Sequence, residues 1–422
     1  MLDQIIENII QKIRREVVQP GMDRIPLTYI MTRNIPDSVK HFFDQEVEIW
    51  LREEADKFST SDRFDYDLPE VRVLIDKIFD ILKQTATFHI TVFNRLLERA
   101  IKLEANYLIR PHQTLTQFLF KDSFTITTME VYDMLKYFEK FQYYKDALTD
   151  YFNLKYMREI SQPQFEELIE AIDKQVFSKN TVETTLQMVK TIVNFLNEGR
   201  TPPSDTISLE ILLTAFNDRN LSPFVHLVEQ EQRAGTQEIS LADLEQMLRS
   251  GKPLSEVKAA AEAERKLEEI ADIEEEKPEV QVESITVSEV TEPPPVVEEK
   301  EEEELLEEEE EEVEEVGKAA EQLADVVAEK IKGDHLEDLH KLIKPKQRKK
   351  FIKKIFRKNE SQYLEFIDLL NRIPDWKKAS RTIDEYFMTA SINPYSKEAL
   401  EFSDLVYNRY FPKDRPLTED EF

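Results

Sequence analysis

A chain without cysteine must carry any chemistry on its histidines, carboxylates, hydroxyls and cations. Disulfides, thiol nucleophiles, thiolate metal sites and iron–sulfur clusters are excluded together. Six histidines are scattered, at His41, His89, His112, His226, His335 and His340. The last two frame HLEDLH, but a separation of five residues is about 140° round a helix, so their rings do not converge on one metal. EQEQRAGTQEISLADLE has the outline of a calcium loop between two helices. With Gly235 as the sixth loop position, the first, third, fifth and twelfth positions are Gln230, Gln232, Ala234 and Leu241. A hard cation needs carboxylates there, so the segment reads as a bare helix–loop–helix. No metal or cofactor is expected.

Acid–base catalysis cannot be read from spacing when 86 acids supply every spacing by chance. Glycine is more telling: six in 422 residues, none clustered, leaves nothing to build a phosphate-cradling turn. Neither a P-loop, a nucleophile elbow nor a kinase signature is present. These absences predict a protein that is not an enzyme.

The cations are different. Ten fall between Lys341 and Lys358 with no acid among them, in a chain of net charge -30. On a helical wheel, Phe351, Ile352, Ile355 and Phe356 share an arc of about 140°. Lys346, Lys349, Lys350, Lys353, Lys354, Arg357 and Lys358 occupy the rest, and only Arg348 strays. The spacing predicts one helix, from Pro345 through Lys358, docked by its apolar half on Tyr363, Phe366, Ile367 and Leu370. Its wet cationic half suits an anionic partner.

The elements that must position this face are helical throughout. Ile5, Ile6, Ile9, Ile10 and Ile13 form one stripe. So do Phe42, Phe43, Val47, Trp50 and Leu51, then Leu74, Ile78, Phe79, Ile81 and Leu82, then Phe93, Leu96, Leu97, Ala100 and Ile101. The β-branched KQTATFHITV is a place for a long helix to break. Aromatic runs Met129–Phe141 and Lys145–Tyr156 predict an antiparallel helix pair. There is no convincing strand alternation and no period of matching residue types. Most glycines follow a helical pattern, as expected for left-handed helix ends.

The fold class expected is all-α: a helical bundle domain over 1–199, a small helical unit with a charged helix over 204–270, and an acidic linker over 271–317. A carboxy-terminal helical domain then covers 318–411, with a tail at 412–422. The charged helix after Pro253 is a candidate coiled coil. Between Glu262 and Val316 stand 26 acids against four bases, and such a segment, poor in aromatics, reads as disordered.

The function expected is a non-enzymatic interaction or scaffold protein offering its basic surface to an anionic partner, most simply another protein. Nucleic acid is the weaker partner, since the acidic segment repels phosphate and competes for the same cations. No run of apolar residues is long enough for a membrane span, and a cytoplasmic location is expected. Two alternatives stand beside this reading. One is a helical-bundle enzyme with a carboxylate/histidine site involving His89 or His112. The other is a self-latching regulator whose Glu run masks the basic helix.

Overall fold

A computed structural model describes residues 2–59, 64–258 and 336–411. The fold is all-α, a set of helices with only short strands between them. The acidic linker, the start of the carboxy-terminal domain, most of the charged helix after Pro253 and the tail lie outside the described residues. Contacts divide the chain into two compact units. Among the described residues the first holds 2–258 with Ile383–Asp404, and the second holds 336–382 and 405–411.

The first unit is built by one small device used six times. A helix runs into a loop, the loop ends in a three-residue strand, and the next helix leaves directly from it. The series is α1 (Leu2–Val17), β1 (Arg24–Pro26), α2 (Leu27–Thr32) and α3 (Asp37–Ser59), then α4 (Pro69–Thr85), β2 (Thr87–His89) and α5 (Ile90–Ile109). It continues with α6 (Pro111–Phe120), β3 (Thr125–Thr127), α7 (Thr128–Leu135), α8 (Tyr143–Lys155), β4 (Glu159–Ser161) and α9 (Gln162–Lys179). The last set is α10 (Thr181–Glu198), β5 (Thr206–Ser208), α11 (Leu209–Asp218), α12 (Ser222–Arg233), β6 (Glu238–Ser240) and α13 (Leu241–Ser250).

The strands pair antiparallel two by two, and each pair sets one apolar residue against another: Ile25 on Phe88, Ile126 on Ile160, Ile207 on Ile239. All six are buried. The third strand residue often doubles as the cap of the following helix. Thr127 Oγ1 accepts from the Glu130 amide while Glu130 reaches back to the Thr127 amide, a reciprocal capping box. Ser208 and Ser240 cap α11 and α13 by the hydroxyl alone, accepting from the Glu210 and Asp243 amides. The expectation of no strands is thereby corrected. Three residues are too few to show alternation, yet TIT, EIS, TIS and EIS stand in the sequence at β3, β4, β5 and β6.

One hydrophobic cluster runs from Ile5 to Leu254. Gly199 ends α10 with φ of -108°, which is not the left-handed conformation expected of it. A β-carbon there would lie 2.4 Å from the Ile5 carbonyl oxygen, so it is the close approach of α1 that demands glycine. Gly251, with φ of 65°, is the left-handed helix end anticipated.

The second unit comprises α14 (Leu339–Leu342), α15 (Pro345–Lys354) and α16 (Glu360–Arg372), with the first half of α17 (Trp376–Thr389) and the last turn of α18 (Lys397–Tyr410). Its polar anchor is Arg409, buried, whose guanidinium donates to the carbonyls of Glu337, Leu370, Asn371 and Ile373. The last three belong to the end of α16, where carbonyls lack helical partners.

Candidate functional site

The basic helix begins where Pro345 supplies the fixed φ that suits a first helical turn. The Lys344 amide donates to Gln347 Oε1 and closes the helix start. From there the sequence turns Phe351, Ile355 and Phe356 inward; all three are buried. Phe356 meets Tyr363 edge-on at 5.3 Å and Phe366 at 5.8 Å, so α16 is the cover. Lys346, Lys349, Lys353, Lys354, Arg357 and Lys358 are exposed and Lys350 is half-buried. Among the described residues no carboxylate pairs with Lys346, Lys349, Lys353 or Lys354. Arg348, the residue off the wheel, turns the other way: it binds Glu360 at 2.8 Å and lies over the Tyr363 ring.

The helix is shorter than its charge pattern. It stops at Lys354, and Arg357 and Lys358 take left-handed conformations with φ of 49° and 68°. The Lys358 amide donates to the Ile352 carbonyl, and that of Phe356 to Phe351. A C-terminal turn of this type usually takes glycine; here two exposed cations occupy it. Periodicity alone could not show the stop, because the apolar spacing continues through Phe356.

A second group of chemically capable residues meets in the first unit. His112 Nε2 lies 2.8 Å from Asp173 Oδ2, and the Tyr144 hydroxyl donates to the same oxygen at 2.7 Å. All three are buried. Arg219, also buried, donates to the carbonyls of Leu108, Ile109 and Ala215. Next to it, Asp218 accepts from the amides of His112 and Gln113 at the start of α6. Burial desolvates the Asp218 carboxyl and pushes its pKa up, against the pull of His112 and Arg219. Burial and the Asp173 charge also raise Tyr144 well above the phenol range. Asp173 and Arg219 help wall an open depression of about 660 Å³ together with Glu167, Glu170 and Lys174.

The elements explain why these polar groups are inside. Pro111 forces a corner between α5 and α6, leaving carbonyls on one side and amides on the other without helical partners. The adjacent Asp218 and Arg219 satisfy both sets. His89, the other histidine singled out, is exposed on β2 and touches Thr91. His340 lies 2.9 Å from Asp368, and His335 falls outside the described residues. Among the described residues no cluster of three or more metal-ligating side chains occurs. The segment resembling a calcium loop is a helix–loop–helix, with Ile239 at the strand centre. The buried Glu231 accepts from the Ser255 amide and the Thr236 hydroxyl, so its oxygens are bound inside the chain.

One apolar surface was not anticipated. Leu74, Ile78, Ile81 and Leu82, expected in the core, are exposed on α4, as is Val73. Only Val71, Ile75 and Phe79 turn partly inward. Lys83, bonded to Asp44 and Glu48, ties the end of α4 to α3.

Compared with known proteins, residues 340–411 match a family described as a domain of unknown function (DUF8457). The match spans α15 with its cationic face. No curated protein and no solved structure matches the chain.

Proposed function

We propose that this is a non-catalytic interaction protein, whose cationic face on α15 receives an anionic surface of a partner protein in the cytoplasm. One observation carries the reading: Lys346, Lys349, Lys353 and Lys354 stand in water on a helix whose opposite side is fixed by buried Phe351 and Phe356. A rigid array of like charges without internal partners raises the local concentration of an opposite charge and speeds its association. The bare apolar stripe of α4 belongs to the same reading, since contiguous exposed apolar surface is a feature of proteins that bind others. Among the described residues no helix is long and apolar enough to cross a membrane.

The test is charge reversal of Lys349, Lys350, Lys353 and Lys354 to Glu in the full chain, followed by capture from native lysate. Partners that depend on this face should be lost from the eluate and should weaken with salt in the wild type. An unchanged set of partners removes the proposal. Compaction that falls with salt would instead favour masking of the face by the chain's own acidic segment.

A second reading has one observation in its favour. The buried His112–Asp173–Tyr144 group near an open depression has the residue types of an acid–base site. Against it, Asp173 Oδ2 is engaged by both neighbours and Arg219 by three carbonyls, which suits a structural corner. Asp173→Asn separates the two: a structural group loses thermal stability, whereas a catalytic one loses turnover with its melting curve intact.

A further inference from the structure

The carbonyls that end a helix need donors; the Lys121 and Ser123 amides serve Gln117 and Phe120 at the end of α6, and a distant part of the chain adds a further donor. The side-chain amide of Asn393 donates to the carbonyls of Gln117 and Lys121 at 2.8 and 3.0 Å. It sits in a tight turn, Asn393-Pro394-Tyr395-Ser396, closed by the Ser396 amide on the Asn393 carbonyl. Asn393 Oδ1 also accepts from the Tyr395 amide. Tyr395 completes the contact: its ring meets Phe118 edge-on at 5.4 Å, and its hydroxyl accepts from the side-chain Nδ2 of Asn106 at 3.2 Å. Burial pushes that hydroxyl up to about 12. Flanking charges lie at the rim, Asp384 on Lys102 and Asp404 on Arg99 and Arg95. All of these residues belong to the first unit.

Each feature reads as ligand recognition. A carboxamide presents two N–H groups to two carbonyls, which an aspartate cannot do. Proline holds the turn before binding, so less conformational freedom is lost on docking. Tyrosine supplies a large rigid anchor with a polar tip. We propose that the end of α6, with Phe118 and Asn106 on α5–α6, is a receptor for an Asn-Pro-Tyr turn. The chain's own Asn393–Ser396 fills it in cis, and a free peptide carrying the same turn takes its place when the internal copy is withdrawn. The internal occupant competes through high effective concentration, although closing a loop of more than 270 residues works against it. This site is separate from the cationic face of α15 and stands or falls without it.

The probe is a fluorescein-labelled peptide of the segment Ser391–Ala399, with anisotropy measured on the full chain. Three chains are compared: wild type, Asn393→Ala with Tyr395→Ala, and the isosteric Asn393→Asp. Both variants should bind the peptide at least ten-fold more tightly than wild type, because their own turn no longer competes. A peptide with alanine at the Asn393 position should bind at least ten-fold more weakly than the native peptide. Equal uptake by wild type and by variants that still melt cooperatively overturns the proposal, as does equal binding of the alanine peptide. Loss of cooperative folding in both variants also overturns it, since the turn would then be part of the core and not a ligand.

Discussion

The helices α4 and α15 pose the same problem and resolve it in opposite ways. Each is amphipathic, each begins with proline, and each has an apolar stripe wide enough to need a cover. On α15 that stripe lies beneath Tyr363 and Phe366 and the charges face water. On α4 the aliphatic residues Leu74, Ile78, Ile81 and Leu82 face water, and a charged residue, Lys83, makes the anchoring contact. An amphipathic pattern therefore specifies that a helix has two faces. Which face is covered, and by what, is decided by the elements packed against it, before or after it in the chain.

Truncation energetics should expose the difference most strongly. Phe351→Ala removes a fully buried ring and is expected to cost about 3–5 kcal/mol in the unfolding of the second unit. The same truncation at Ile78 or Ile81 should cost under about 0.5 kcal/mol, as for ordinary surface positions. Denaturant melts of the three variants decide it. Comparable losses at Phe351 and Ile78 would mean that α4 is covered in solution and that the contrast fails.

A charge in water and a charge taken inside should differ in pH dependence as well. The lysines of α15 are wet, whereas Glu104 on α5 is desolvated by burial, against the donation of the Ser38 hydroxyl, and is pushed up to about 7. A carboxyl with a raised folded pKa binds its proton more tightly when folded. Its contribution is fully present below about 4.5 and is lost as pH rises through about 7. Glu104→Gln should therefore match wild type near pH 4 and be more stable to unfolding than wild type at pH 8, by about 1–3 kcal/mol at most. A crossing in the other direction would show that Glu104 is charged and held by a partner.

Much of this was legible in residue types. The inward turn of Phe351, Ile355 and Phe356 follows from helical spacing, as does the burial of Ile5, Ile9 and Ile13. The break within KQTATFHITV is where β2 falls. What escaped is what depends on partners distant in sequence. The six strands have meaning only as pairs, and Ile126 needs Ile160 opposite it before a three-residue strand exists. Asp173 is indistinguishable from 85 other acids until α6 and α8 bring His112 and Tyr144 to it. The left-handed Arg357 and Lys358 broke the usual preference for glycine, so composition pointed the other way. The exposure of α4 is the same lesson inverted, since nothing in Leu74, Ile78 and Ile81 shows that no helix among the described residues covers them.

The smallest effect concerns the cations themselves. Arg348 and Lys349 are neighbours on α15, yet one bonds Glu360 and overlies Tyr363 while the other stands alone. An exposed ion pair contributes only about 0.2–1 kcal/mol and is screened by salt. Arg348→Ala should thus lower the stability of the second unit by roughly that amount, plus a little for the ring contact. Lys349→Ala should leave it unchanged or raise it slightly, because removing one of several adjacent like charges relieves repulsion. Partner binding should rank the two the other way, with Lys349 the more important, since its charge is free to be shared. Chemical melts at low and high salt beside a binding assay give both rankings. If one residue led in both, the cations of α15 would not divide into those that hold the fold and those that face a partner.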